Sequence, residues 1–340
     1  MSNIWTKVKN TIRENNIPIE MVIELTRRCN LNCCHCYNVK NRGELSLKQV
    51  KDMVRQLRQA GCLFAILTGG EIFTRPDLYE ILMFMRRAGL DIKIFTNGTL
   101  IDKTWIEKLK EVSPSLIGIS ILGAKERTHD GITGIPGSFR KAMAAVELLK
   151  AAGLSVNIKC ALMRQNYSEY QKIIEMAKAL GVTYVLDPVI SPRDDGRDDV
   201  LAHRLQEKEL ADFYGQQVEQ FPESLTAEDD FYCSAGISLG CISARGDVFP
   251  CVQLPYAVGN IFKQELKDIW ANSEFLQKMR TAAFHDAKGC LDCRLRAYCT
   301  RCPGLAYLED QDAFGPSRTA CLNALIYEKL HCNKRVEMVR

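Results

Sequence analysis

Met21-Val22-Ile23-Glu24-Leu25-Thr26 runs straight into Arg27-Arg28-Cys29-Asn30-Leu31-Asn32-Cys33-Cys34-His35-Cys36-Tyr37, an apolar run of strand length opening into a loop of C-x3-C-x2-C spacing. Outward from it, to about residue 190, short β-branched runs alternate with amphipathic stretches of helical period, the signature of βα units and a parallel sheet. Six units are present. Their strands are expected over Met21 to Thr26, Leu63 to Thr68, Asp91 to Thr96, Leu116 to Ser120, Leu154 to Ala161 and Val182 to Leu186. Each is short and mostly apolar, which predicts strands covered on both faces. The helices between carry their own punctuation. Ser46 with Gln49 forms a capping box, after which Leu47, Val50, Val54 and Leu57 repeat at helical spacing until Gly61. Ser138 is the expected cap of a helix over Phe139 to Ala152 with Gly153 as its stop, and Ser168 to Leu180 with Gly181 repeats the scheme.

The alternation ends at Ser191-Pro192-Arg193-Asp194-Asp195-Gly196-Arg197-Asp198-Asp199, a polar, turn-rich stretch that reads as a linker or lid. A helical segment to about Phe221 follows, and from Cys233 to Cys321 the sequence is rich in cysteine and irregular in spacing. The expected organisation is an N-terminal extension over 1–19, a barrel over 20–190, a bridging segment over 191–232, a cysteine-rich domain over 233–321 and a C-terminal amphipathic helix over 322–340.

Composition narrows the function classes. Of 340 residues, 46% are apolar and 25% charged, the mix of a globular protein rather than a disordered or fibrous one. Lys and Arg number 45 against 41 Asp and Glu, and a net charge of +4 at this length is too weak a footprint for nucleic acid. No run approaches the roughly 18 apolar residues of a membrane span. The N-terminus lacks the apolar core of a secretory signal, so a reducing cytoplasm is expected. In that compartment fifteen cysteines point to metal ligation rather than disulfides.

Cys29, Cys33 and Cys36 lie just after the first strand, at the strand end where barrel enzymes build active sites. Three thiolates in so short a loop converge on one corner of an iron-sulfur cubane and leave its fourth iron open. A zinc site or plain reduced cysteines is the alternative. The loop resembles that of the radical SAM superfamily, in which three such cysteines hold a 4Fe-4S cluster whose free iron chelates S-adenosylmethionine. Further residues carry the resemblance. Thr68-Gly69-Gly70-Glu71 is similar to the family's GGE motif, which implies glycines that let the backbone approach the ligand and a Glu71 carboxylate that accepts from the methionine ammonium. Thr96-Asn97-Gly98-Thr99 matches another loop near the cofactor. Ser120 stands where relatives place a contact to ribose or carboxylate, and His35 where they place an aromatic residue. Leu122 departs from the pattern, and Thr133 replaces a basic residue that relatives often carry.

The second cysteine set comprises Cys233, Cys241, Cys251, Cys290-x2-Cys293-x5-Cys299-x2-Cys302 and Cys321, eight thiols for two four-ligand sites. Zinc held by four thiolates is again the alternative. This pattern resembles the SPASM extension of radical SAM enzymes, which carries two auxiliary 4Fe-4S clusters. By that resemblance Cys233, Cys241, Cys251 and Cys302 hold one cluster and Cys290, Cys293, Cys299 and Cys321 the other. Cys299 and Cys302 are separated by two residues where the family has three. Cys34, Cys62, Cys160 and Cys332 are left over, and Cys62 and Cys160 read as small buried hydrophobes.

The fold expected is therefore α/β, a partial (β/α)6 TIM-like barrel followed by a small irregular SPASM domain that covers its open side. The resemblance implies reductive cleavage of S-adenosylmethionine to a 5'-deoxyadenosyl radical that takes a substrate hydrogen, with the auxiliary clusters accepting an electron. Asp187, at the end of the sixth strand, is the candidate base, against a role as the start of the Asp187-Pro188 turn. Expected partners are a peptide or protein substrate, or alternatively a small molecule of quinone or tetrapyrrole type, and a low-potential reductant of flavodoxin or ferredoxin type. Only 28 residues precede Cys29, so a separate peptide-recognition protein is expected to serve a peptide substrate. A plain iron-sulfur electron carrier leaves the glycine-rich and Asn-Gly loops unexplained.

Overall fold

Backbone alternation decides the architecture. Six parallel strands, β1 (Glu20–Thr26), β2 (Phe64–Gly69), β3 (Asp91–Thr96), β4 (Leu116–Ser120), β5 (Val156–Ala161) and β6 (Thr183–Asp187), pair in chain order in the computed structural model. The structure describes residues 2–39, 43–216, 233–282, 287, 289, 290 and 292–338. On the outer side lie helices α2 (Leu47–Gln59), α3 (Leu78–Arg87), α4 (Lys103–Val112), α5 (Glu126–Thr133), α6 (Ser138–Ala151) and α7 (Tyr170–Leu180), with α1 (Ser2–Glu14) ahead of the first strand. Alternate strand residues Ile23, Leu67, Ile94, Ile119 and Ile158 are fully buried against Met53, Leu82, Leu109, Leu149 and Ile173 of those helices.

The inner face differs from the expectation of strands covered on both sides. Thr68, Lys93, Phe95, Ser120 and Lys159 alternate with the core residues and are only partly covered. Helices pack on one side alone, so the concave side encloses a lumen instead of a second apolar layer. At one end of the sheet β6 has no outer partner among the described residues, and Tyr184 and Val185 are 36% and 50% exposed.

At the other end the sheet continues into the cysteine-rich segment. There β7 (Leu239–Ile242) pairs in parallel with β1, Glu20 opposite Leu239 and Ile23 opposite Ile242, and β8 (Asp247–Phe249) and β9 (Gly259–Asn260) follow antiparallel. Gln56 of α2 fastens this segment: its amide donates to the Ile261 carbonyl at 3.0 Å and accepts from the Leu266 amide at 2.8 Å. Leu266 opens α9 (Leu266–Asn272), and α10 (Glu274–Thr281) and α11 (Pro303–Asp310) follow.

The capping box of Ser46 and Gln49 is present. Ser138 is not the cap of α6. The Asp130 carboxylate, reaching across from α5, accepts from the Phe139 amide at 2.9 Å and the Ser138 hydroxyl at 2.8 Å, and Gly137 occupies the cap position in a left-handed conformation. An ionised acceptor outcompetes a local serine hydroxyl for those amides.

Beyond the barrel, α8 (Glu207–Gly215) packs on α12 (Arg318–Met338) through Phe213, Tyr214, Ile326 and Tyr327, with the rings of Tyr214 and Tyr327 4.7 Å apart. The C-terminal helix thus starts four residues earlier than expected, and the expected helical path from Gln217 to Phe221 lies outside the described residues.

Candidate active site

The loop after β1 places Cys29, Cys33 and Cys36 on the wall of a cavity of about 340 Å³ at the C-terminal mouth of the barrel. The polar stretch after β6 clamps that loop. Arg193 donates to the Cys36 carbonyl at 2.8 Å, the Asp194 amide donates to the Tyr37 carbonyl at 3.0 Å, and the Asp194 carboxylate pairs with Arg27. Arg27, itself buried, also holds Glu24 at 2.8 Å. Cys34 does not line this cavity; with Cys33 it packs on the cluster of Leu122 and Ile132, and burial pushes its thiol up.

The two motif glycines are dictated by backbone contact. A Cβ on Gly69, at φ +136°, would fall 2.2 Å from the Thr26 carbonyl oxygen, and one on Gly70 would fall 2.1 Å from that of Arg28. The Gly70 and Glu71 amides donate to those same carbonyls at 2.8 and 2.7 Å. The loop after β2 is thereby sewn to the cysteine loop.

Glu71 is buried and does not line the cavity. Its oxygens already accept from the Phe73 amide at 3.0 Å, the Thr96 hydroxyl at 2.8 Å and the Asn97 amide at 2.7 Å. Burial raises its pKa against the pull of those bonds. Its effect on the cavity passes through Asn97, whose amide group donates to the Asn30 side chain at 2.9 Å and approaches Cys29 Sγ at 4.0 Å.

Ser120, Thr133 and Asp187 all face the cavity. The Thr133 hydroxyl is engaged with Ser138 at 2.6 Å. Asp187 Oδ1 accepts from the Val189 amide at 2.9 Å, so it both starts the turn and looks into the lumen. Although its rim is exposed, packing around the carboxyl raises its pKa. His35 is held neutral by burial, its pKa lowered to about 4, and its Nδ1 is buried with no hydrogen-bond partner.

The remaining cysteines fall into two groups. Cys233, Cys251 and Cys302 lie within electrostatic reach of one another, and Cys241 joins them through Cys251. Cys290, Cys293, Cys299 and Cys321 form the second group. Cys62 and Cys160 are buried, their thiols pushed up to about 12. Cys332 is exposed.

Tyr37, beside Cys36, and two residues that sequence reading passed over, Lys159 and Arg301, matter here. Tyr37 walls both this cavity and a second one of about 340 Å³ that reaches Cys241, and its hydroxyl faces Glu24 at 3.4 Å. Lys159 projects into the lumen, which the period-two alternation of Asn157, Lys159 and Ala161 would have indicated. Arg301, anchored on the Gly315 and Ala313 carbonyls at 2.7 and 2.6 Å, acts on cysteines of both groups: burial raises the pKa values of Cys233, Cys290 and Cys299, and the Arg301 charge opposes that rise.

Comparison with known proteins gives this geometry its context. The family model of the radical SAM superfamily matches residues 23–185, and that of an iron-sulfur cluster-binding domain, SPASM, matches residues 233–303. The chain belongs to the radical SAM superfamily. It is 32% identical over 331 residues to the AdoMet-dependent heme synthase of Methanosarcina barkeri, covering 87% of this chain and 94% of that one. It is 29% identical over 302 residues to the antilisterial bacteriocin subtilosin biosynthesis protein AlbA of Bacillus subtilis, covering 84% and 67%. The crystal structure of SuiB of Streptococcus suis bound to precursor peptide SuiA superposes with a TM-score of 0.70 at 19% identity over 93% of this chain and 79% of that one, a likeness of fold.

Radical SAM and SPASM domains imply 4Fe-4S clusters and bound S-adenosylmethionine, and the residues present fit them. Among the described residues no three His, Cys, Asp or Glu side chains converge for a single metal ion. Three cysteines instead border a cavity beside an orphaned His35 nitrogen and the Ser120 hydroxyl, which suits a larger ligand with polar groups. Positive charge beside thiolate ligands raises cluster potentials. Arg301→Gln is therefore expected to lower the midpoint potentials of the auxiliary clusters by on the order of tens of millivolts, read by potentiometric EPR.

Proposed function

We propose that this radical SAM enzyme oxidatively modifies a peptide or protein, admitted to the lumen along β6. The clusters and S-adenosylmethionine, when bound, supply one-electron cleavage and removal of a substrate hydrogen. The chain's own residues do the rest: Cys29, Cys33 and Cys36 hold the cluster that engages the cofactor, Ser120, Asn97 and His35 orient the cofactor, and Asp187 takes a proton from the substrate as it is oxidised. Gly69, Gly70 and Glu71 fix the loop that aims these groups.

The observation that carries the reading is the outer flank of β6, which pairs with no strand among the described residues. An exposed edge strand with Tyr184 and Val185 beside an open lumen suits an extended chain, whose backbone can pair where the sheet stops. Oxidation requires an electron to leave, and the eight thiols from Cys233 to Cys321 give it a destination across Tyr37. A flavodoxin or ferredoxin delivers the starting electron, and a separate recognition protein presents the peptide. No described helix is long and apolar enough to cross a membrane.

A second reading, a tetrapyrrole substrate, is favoured by the 32% identity to a heme synthase over 94% of its length. Anaerobic incubation with S-adenosylmethionine and dithionite decides between them. The expected result is 5'-deoxyadenosine together with loss of two hydrogens from a precursor peptide encoded beside the gene, read by mass spectrometry. An unchanged peptide beside a converted Fe-coproporphyrin III would establish the second reading instead. In the same assay Cys293→Ala is expected to retain part of the cofactor cleavage and lose product, while iron falls from about twelve to about eight per chain.

A further inference from the structure

The lumen holds one cation whose partner is missing. Lys159, on β5, stands opposite Ser120 on one side and Val185 on the other. Its side chain passes over Gly118, where an added Cβ would lie 2.9 Å from Lys159 Cδ and 2.9 Å from the Phe95 ring. Its ammonium rests 3.4 Å from the centre of that ring. Only a glycine at 118 leaves this path open.

Lys159 is the sole Lys or Arg among the residues lining the cavity that Cys29, Cys33 and Cys36 border. Other lumen cations are already engaged: Lys93 with Glu20 at 2.7 Å and Arg27 with Glu24 at 2.8 Å. Among the described residues no acceptor lies within hydrogen-bond distance of the Lys159 ammonium. Asp187, the nearest carboxylate on the same face, makes no ion pair with it and spends one oxygen on Val189. Desolvation by its surroundings lowers the Lys159 pKa, and Asp187 only partly offsets this. An ammonium kept in such a place is costly unless an anion joins it, and an aromatic face supplies only part of what water gave.

We propose that Lys159, laid across Gly118 onto the face of Phe95, is the docking point for a carboxylate of the substrate. The inference rests on the reading of the lumen as the place where substrate meets the cofactor, and it names what that substrate must carry. A peptide offers an acidic side chain, and a tetrapyrrole offers propionates. The shared group is a carboxylate at the end of a short aliphatic arm.

Binding to anaerobically reconstituted protein tests this with two matched probe pairs. One is coproporphyrin III against its tetramethyl ester, the other a glycine- and alanine-rich peptide with one glutamate against its glutamine counterpart. Wild type is expected to prefer the acid of one pair by tenfold or more, and the pair that responds identifies the source. Lys159→Met, which keeps the stem on Phe95, is expected to erase that preference, and Lys159→Arg to restore most of it. Equal binding of acid and neutral probe in both pairs overturns the proposal, as does a preference that survives in K159M. A tenfold loss of S-adenosylmethionine affinity in K159M, measured by equilibrium dialysis, also overturns it, because the cation would then serve the cofactor. Formation of 5'-deoxyadenosine by the wild-type preparation is scored separately. Its absence beside an intact acid preference sinks the radical reading and supports the cation.

Discussion

Replacing Cys29, Cys33 or Cys36 with alanine abolishes 5'-deoxyadenosine formation and removes about four of twelve iron atoms per chain. The magnitude follows from ligand arithmetic. The loop offers Cys34 as a fourth thiol, but Cys34 does not line the cavity, and burial disfavours its thiolate. No fourth thiol therefore reaches the cavity from the loop. Iron analysis and anaerobic chromatography of the nucleoside check the result, and a Cys33→Ala protein that still cleaved the cofactor at more than about a hundredth of the wild-type rate would be incompatible with a three-thiolate site.

Gly70→Ala has nearly as large an effect through a different route. The new methyl would sit 2.1 Å from the Arg28 carbonyl oxygen and 2.6 Å from its carbon, both backbone atoms that no rotamer change can move aside. Relief requires parting the loop after β2 from the cysteine loop, breaking the hydrogen bonds that the Gly70 and Glu71 amides donate to the Thr26 and Arg28 carbonyls. Overpacking of this kind costs roughly 3 kcal/mol. The variant is expected to melt several degrees below wild type and to take up cluster and cofactor poorly. Gly131→Ala, where an added Cβ meets nothing within 4 Å, is the control. Thermal unfolding followed by circular dichroism and iron content per chain distinguish the two.

The parts of the molecule that the sequence revealed are those governed by local periodicity. Six strands and their helices follow from alternation and caps within a few residues of one another, and all six strands lie within two residues of their expected ends. Local chemistry also sufficed for the Ser46 capping box. It failed at Ser138, because the competing acceptor, Asp130, comes from the preceding helix. Apolar strand composition likewise concealed the lumen. Val22, Ile66 and Val185 are as apolar as core residues, yet they share the inner face with Lys93, Ser120 and Lys159, and only closure of the barrel separates the two faces.

The site divides in the same way. Short-range spacings marked the cysteines as candidate ligands, but the contacts that position their loops cross the chain. Glu71 read as a cofactor contact from its motif, whereas the bonds it makes to Thr96 and Asn97 depend on two loops meeting at the barrel mouth. Arg193 reaches the Cys36 carbonyl from 157 positions away. Gly118 has no motif at all, and its meaning appears only once Phe95 and Lys159 are seen on either side of it.

The parallel pairing of β7 with β1 has one more consequence. The strand that launches the cysteine loop is hydrogen-bonded on its far side to backbone from the neighbourhood of Cys241, so the two halves are not separable modules joined by a tether. Severing the gene after residue 232 would strip that flank bare and leave a sticky, ill-folded fragment prone to self-association. Stripping iron from the distal thiols should for the same reason be felt at β1, as faster amide exchange between Met21 and Ile23.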